Sequence, residues 1–394
     1  MPISLRILFY FVPLVFSFGG KAVTVDWSGW SRGETYYQGD VQFHGTFYFA
    51  LKPTVQVIDG LTVSARLDAV HRQKADELFK KSSWLNSDPE PQGGLFLLHS
   101  EKSFKTDWSL FQHNISLSQF YITWQGEFAR FQLGKAPYHF GMGLTYSADT
   151  PSLSNWVSHV TWLSLYLKYN RFYFHPAVVV REENRLAPLL AGGISGESWK
   201  VEGLYRHEKF HRVELFGQYE KDFWDTKLSV SYGVSKAHLA AALEAGVNLW
   251  FLLKPRVELK AGYASKNFSF HPNYNVGLFL WNYLITAPSC FKGTESSTEE
   301  EDNSLSPLWV EEGCINNVVY FAPRLVFSFW EETVKVAPQF VAGFQISEKR
   351  FDYEMNLEVK YSLESFLTFR VQGGLFYEKK KTNFGFLTQA AVEF

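Results

Sequence analysis

The stretch RFDYEMNLEVKYS, residues 350–362, alternates without a break. Phe351, Tyr353, Met355, Leu357, Val359 and Tyr361 take the odd positions, and Arg350, Asp352, Glu354, Asn356, Glu358, Lys360 and Ser362 the even ones. A period of two belongs to a β-strand, whose successive side chains point to opposite faces. A water-soluble sandwich would alternate as well. Here a row of large apolar side chains opposes a row of charges, the pattern expected when one face meets hydrocarbon and the other confined water.

Composition narrows the choice. The chain has 394 residues, with 38 Lys and Arg against 40 Asp and Glu, and lacks the basic excess of a nucleic-acid binder. Aromatic residues make up 18%, with 37 Phe, 20 Tyr and 13 Trp. Beyond the N-terminus no apolar run is long enough for a spanning helix. A transmembrane β-barrel reconciles many aromatics with ordinary overall hydropathy, because its lipid-facing and lumen-facing rows cancel. The N-terminus reads as an export signal: Arg6, an apolar stretch over 7–18, then Gly19, Gly20 and Ala22. Cleavage is expected after Gly20 or Ala22, giving a signal over 1–22 and a barrel over 23–394. Cysteine is confined to Cys290 and Cys314, which excludes a disulfide-dense scaffold.

Alternating segments continue along the chain, punctuated by Gly, Pro, Asn and Asp. They predict strands over 22–32, 40–52, 60–72, 113–125, 127–137, 157–169, 171–182, 187–196, 198–208, 210–221, 225–236, 238–250, 255–268, 317–330, 333–347, 350–363, 366–379 and 382–394. The fold class is thus all-β, an antiparallel up-and-down transmembrane barrel of about 18 strands, with 16 as the alternative. The alanine-rich SKAHLAAALEAGVNLW has some helical character. Leu239, Ala241, Leu243, Ala245, Val247 and Leu249 nevertheless alternate with Glu244, Gly246 and Asn248, so it reads as a strand.

The connections supply an independent check. Such barrels keep short turns at one end and long loops at the other. The long stretches 73–112, 138–156 and 269–316 all fall on odd-numbered connections. Even-numbered ones are short, the longest being KPTVQVIDG at 52–60. With the N-terminus periplasmic, the long loops are extracellular.

The faces follow from the alternation. Val63, Ala65, Leu67, Leu228, Val230, Val257 and Leu259 read outward with the odd row of 350–362. Arg66, Asp68, Arg130, Arg206, Arg212, Glu214, Arg256, Glu258, Lys260, Arg350, Asp352, Glu354, Glu358, Lys360 and Arg370 read as pore-lining. Nine of these are basic and six acidic, and over the whole of the inward rows the two signs come nearly into balance. Cross-strand pairing among these charges is expected, and strong ion selectivity is not. On this register Leu357→Arg should block assembly and Glu358→Arg should be tolerated.

Two stretches carry a resemblance. TNFGFLTQAAVEF places Phe384, Phe386, Thr388, Ala390, Val392 and Phe394 on one face, and resembles the final strand of Gram-negative outer-membrane proteins, which their assembly machinery reads. LGKAPYHFGMGLTYSADTP resembles a pattern in porin-like barrels, through Gly134, Lys135, Pro137, Phe140, Gly141 and Gly143. The resemblance implies an outer-membrane location and partners in the surrounding lipid and the assembly machinery. It also implies a constriction loop over Lys135, Pro137, Tyr138, His139, Phe140, Gly141 and Gly143. An ordinary Gly/Pro turn explains the same residues.

The function these observations favour is a porin-like channel for passive diffusion of small hydrophilic solutes, with 73–112 and 138–156 narrowing the bore. The alternative is a surface receptor or adhesin displaying 269–316, whose apolar YNVGLFLWNYLI could dock over the pore or on a partner. Cys290 and Cys314 lie in that loop and are expected to pair in an oxidising compartment. No His stands in a local pattern with a nucleophile, so no enzyme and no cofactor is expected. His207 and His211 flank EKF and could grip a metal with Glu208, but no fourth ligand is evident, and a solvated turn is the expectation.

Overall fold

Outward-row residues of 350–362 are open in the folded chain, Met355 to 59% and Leu357 to 49%, while Asp352 and Glu354 on the opposite row are 1% and 0% exposed. The structure, a computed structural model, describes residues 24–38, 41–73, 115–144, 159–180, 186–207, 211–233, 238–250, 254–266, 268, 270, 274, 276–277, 317–364, 366–378 and 381–394. The strands are β1 (Thr24–Gln38), β2 (Val41–Ile58), β3 (Leu61–Gln73), β4 (Ile115–Gln125), β5 (Ala129–Pro137) and β6 (His159–Tyr169). There follow β7 (Phe172–Val180), β8 (Leu186–Ser195), β9 (Trp199–His207), β10 (His211–Lys221), β11 (Trp224–Gly233) and β12 (His238–Asn248). The last six are β13 (Arg256–Ala264), β14 (Val318–Phe329), β15 (Val334–Gln345), β16 (Arg350–Leu363), β17 (Leu367–Glu378) and β18 (Lys381–Glu393).

Each strand pairs antiparallel with its neighbours in sequence, and β1 also pairs with β18, closing an 18-stranded barrel. Closure removes the unpaired edges that an open sheet would leave. The seam extends one residue past β18: Gly29 and Phe394 exchange backbone hydrogen bonds of 2.7 and 2.9 Å. The Phe394 ring reaches across Gly29 to stack with Phe49 at 6.1 Å.

Within 238–250 the strand is His238–Asn248, as its alternation predicts, and it ends two residues short of the expected bound. Its alanines do not make a helix because both neighbours offer a hydrogen-bonding edge and the outward row is satisfied by a period of two. One expectation is corrected. The stretch 52–60 is not a nine-residue connection: β2 runs to Ile58, and the turn is Asp59–Gly60 alone. Gly60 takes φ +79°, and a Cβ there would meet the Gln125 carbonyl oxygen at 2.6 Å.

Long connections 74–114, 138–158 and 265–317 share one end of the barrel, and short turns share the other. The turn end is ringed by exposed large side chains, among them Phe128, Tyr169, Phe223, Trp250, Trp330, Phe366 and Phe394. Rings of this kind mark the interfacial belt of membrane barrels.

Candidate functional site: the lumen and its constriction

The lumen is not the uniformly wet bore that the charged rows suggest. Arg66, Arg206, Glu214, Asp352 and Glu354 point inward as expected but are buried, so they line no open water. All but Arg66, which lies near the middle of β3, sit toward the loop end of their strands. Asp68 lies in β3, its side chain outside the described residues.

Two inward segments cause the burial. The first follows β5. Lys135 and Pro137 belong to the strand rather than to a constriction loop, and Lys135 stands on the outward row between Phe120 and Thr161. The turn inward starts at Tyr138. Tyr138 and Phe140 are buried with Trp162, Leu189, Leu204 and Phe216. Tyr138 meets Trp162 edge-on at 4.9 Å. Gly141 and Gly143 adopt φ of +56° and +74°, and a Cβ on Gly141 would touch Phe216 at 3.1 Å. His139 is exposed, with Nε2 3.0 Å from the Gly141 carbonyl oxygen. Of the seven residues expected in a constriction loop, Tyr138, Phe140, Gly141 and Gly143 lie in the inward segment, His139 is exposed, and Lys135 and Pro137 lie in β5.

The second segment follows β13 and was read in sequence as the end of a strand reaching 268. Phe268 and Phe270 are fully buried, packed with Leu144, Tyr274, Val276, Tyr320, Val341 and Phe376. The Arg212 guanidinium lies 4.8 Å from the Phe268 ring centre. Tyr320 donates to the Tyr274 hydroxyl at 3.0 Å, and Gln339 Nε2 donates to the Val276 carbonyl at 2.7 Å. Burial pushes the Tyr274 hydroxyl well above its ordinary pKa, so it stays a neutral partner. Gly277 lies against the Glu354 carboxylate, with no room for a Cβ. Burying one Phe stabilises by about 1.5–3 kcal/mol, against about 0.5–1.5 kcal/mol for a net hydrogen bond. The two Phe side chains therefore anchor the segment and the hydrogen bonds set its register. Met142 packs against both hydrophobic clusters and joins the two segments. The lumen thus receives residues of the connection after β13 as well as of the expected 138–156, while 74–112 lies outside the described residues.

Toward the turn end the lumen opens and stays charged. Asp225, Arg256, Glu258, Arg324, Glu358 and Arg370 form a chain of alternating sign across β11, β13, β14, β16 and β17. Arg256 holds Asp225 and also donates to Glu258 at 3.1 Å. Arg324 spans Glu258 at 3.8 Å and Glu358 at 2.5 Å, and Arg370 reaches Glu358 at 3.4 Å. Lys260 pairs with Glu244 at 3.0 Å. Half-exposed pairs are individually worth about 0–1 kcal/mol. Their collective effect is to neutralise the wall. Glu358 is the hub, since it also accepts from Gln372. The expectation that Glu358→Arg is tolerated does not fit this pairing, since the substitution would set a third guanidinium between Arg324 and Arg370. Lys360 lies opposite Lys335 and Arg370 in the register. Arg350 instead donates from Nε to both Asp352 oxygens at 2.9 Å, near the loop end.

The opposite wall is aromatic and basic. The Arg130 guanidinium lies 5.0 Å from the Tyr166 ring, which stacks on Tyr173 at 5.4 Å. Tyr173 donates to Glu202, which also pairs with Lys200 at 2.7 Å. These residues fit passage or binding of small polar molecules. Among the described residues no group of three or more His, Cys, Asp or Glu is placed to hold a metal.

No protein-family model and no curated protein sequence matches the chain. Solved structures do. OpdK of Pseudomonas aeruginosa, crystallised with vanillate, superposes with a TM-score of 0.61 at 7% identity, over 94% of this chain and 98% of that one. OccK3 (OpdO) of the same organism gives 0.60 at 8% identity, over 94% and 95%. OpdQ of the same organism gives 0.58 at 6% identity, over 95% and 99%. The chain shares the fold of these proteins, a closed 18-stranded antiparallel barrel, over nearly its whole length.

Proposed function

We propose that this chain is an outer-membrane channel of a Gram-negative bacterium, passing small hydrophilic solutes through a lumen narrowed by residues 138–144 and by Phe268, Phe270, Tyr274, Val276 and Gly277. The observation that carries the reading is a closed barrel with an apolar outer row and an inner wall whose turn-side charges reach open space. Surrounding lipid is its solvent. Residues 1–22 serve as the export signal, and the strand ending in Phe394 as the element the assembly machinery takes up. The paired wall charges argue against strong ion selectivity.

Purified protein in a planar bilayer should conduct ions in discrete steps. Vanillate, present in the OpdK crystal, and neutral sugars are the first solutes to compare in liposome swelling. A correctly inserted barrel that neither conducts nor admits any solute would overturn the channel reading. The filled loop-side lumen is what keeps a receptor reading in view, since a closed barrel could serve only to display loops. Deleting 292–312 separates the two: loss of surface binding at unchanged conductance favours the receptor.

A further inference from the structure

The hairpin joining β9 to β10 at the loop end carries two imidazoles that a channel does not use. His207 and His211 are direct cross-strand partners. They stand on the outward row with Tyr205, because Leu204 and Arg206 point into the lumen. Their ring centres are 4.4 Å apart. The Tyr205 hydroxyl lies 2.6 Å from His211 Nδ1, and the two rings stack at 5.9 Å. His207 Nδ1 is buried and has no hydrogen-bond partner.

This arrangement differs from a solvated turn. Each feature matches what a metal-binding imidazole pair requires. A ligating imidazole usually has its other nitrogen held by a neighbouring polar group, which fixes the ring and its tautomer. Tyr205 does this at His211 in the tautomer whose Nδ1–H donates to its hydroxyl oxygen, which leaves the Nε2 lone pair available to a metal. At His207 the buried Nδ1 is costly while it lacks a partner, and coordination supplies one. The spacing along the chain, with EKF between the histidines, does not show any of this. It becomes visible only once the register sets the two tilted rings side by side.

We propose that His207 and His211 form a surface site for a divalent transition metal, His211 through Nε2 and His207 by turning its ring to bring Nδ1 out of its buried position, with water in the remaining positions. Two neutral imidazoles select borderline metals such as Cu2+, Ni2+ and Zn2+ over Ca2+ or Mg2+, and Cu2+ binds most strongly in the general affinity order. A closed four-ligand zinc centre is not implied. At the loop end the site is on the side of the barrel where the long connections emerge.

The test uses the full-length barrel in detergent with Cu2+ alone, followed by equilibrium dialysis and electron paramagnetic resonance. One equivalent should bind with nitrogen hyperfine structure, Zn2+ should displace it, and Ca2+ should not. His207→Ala and His211→Ala should each weaken binding at least about tenfold, and Tyr205→Phe by about tenfold with the nitrogen signature retained. Heat-modifiable migration on gels confirms that each variant is a closed barrel. Absence of stoichiometric Cu2+ binding, or binding unchanged in the doubly substituted barrel, would overturn the site.

Discussion

The two halves of the lumen are built from the same kind of strand yet end in opposite environments. Toward the loop end, inward residues such as Glu214, Leu204, Val341 and Glu354 are buried beneath the two inward segments. Toward the turn end, Arg130, Glu258, Arg324 and Lys360 on the same rows reach open space. Alternation is equally regular in both halves, so the strands do not cause the difference. What fills the barrel does. Phe268, Phe270, Tyr138 and Phe140 bring hydrophobic surface into a space that a simple barrel leaves to water. Charge pairing then does for the open half what packing does for the filled one: it holds the wall together.

The largest expected effect comes from ignoring the lumen altogether. Leu357→Arg places a charge on the lipid face near the middle of β16, at a cost of about 2–4 kcal/mol. Little heat-modifiable barrel should be recovered. Normal assembly would mean that the faces are inverted, since a one-residue slip swaps them. Next, Glu358→Arg should lower the thermal unfolding midpoint well below that of Glu358→Gln, because it replaces the hub of the ion chain with a third cation. Equal midpoints would show that the open half does not depend on its pairing. Gly277→Val tests the filled half. Its side chain must displace the Glu354 carboxylate or lift the segment away from it. Single-channel conductance should rise severalfold without loss of the barrel; unchanged conductance would mean that this segment does not limit the bore. The smallest effect concerns the loop beyond it. Cys290 and Cys314 lie outside the described residues, and we propose that they pair. Alkylation without reductant should add no mass. Breaking the bond should change conductance noise more than its mean.

How much of this was legible in the sequence follows from the range of each interaction. Strand existence, face and closure were readable because a period of two is local and lipid penalises every outward error. The charges of 350–362 oppose the apolar row in the structure as they do in the sequence. Loop parity was readable because hairpins alternate ends. The extent of β2 was not: Thr54, Gln56 and Asp59 resemble loop residues, and pairing with Ser64 and Thr62 of β3 and with Asp26 and Thr24 of β1 keeps Thr54 and Gln56 in the strand. The content of the lumen was not readable either. Phe268 and Phe270 alternate like a strand but turn inward, where Tyr320, Gln339 and Arg212 receive the segment from β14, β15 and β10. The imidazole pair shows the same limit at smaller scale, since spacing gives two histidines and register alone decides that they touch. Sequence by itself determined a lipid-facing barrel, because hydrocarbon acts on each residue separately. Tertiary structure alone decided which of its inward charges meet water, because that depends on segments distant in the chain arriving in the same space.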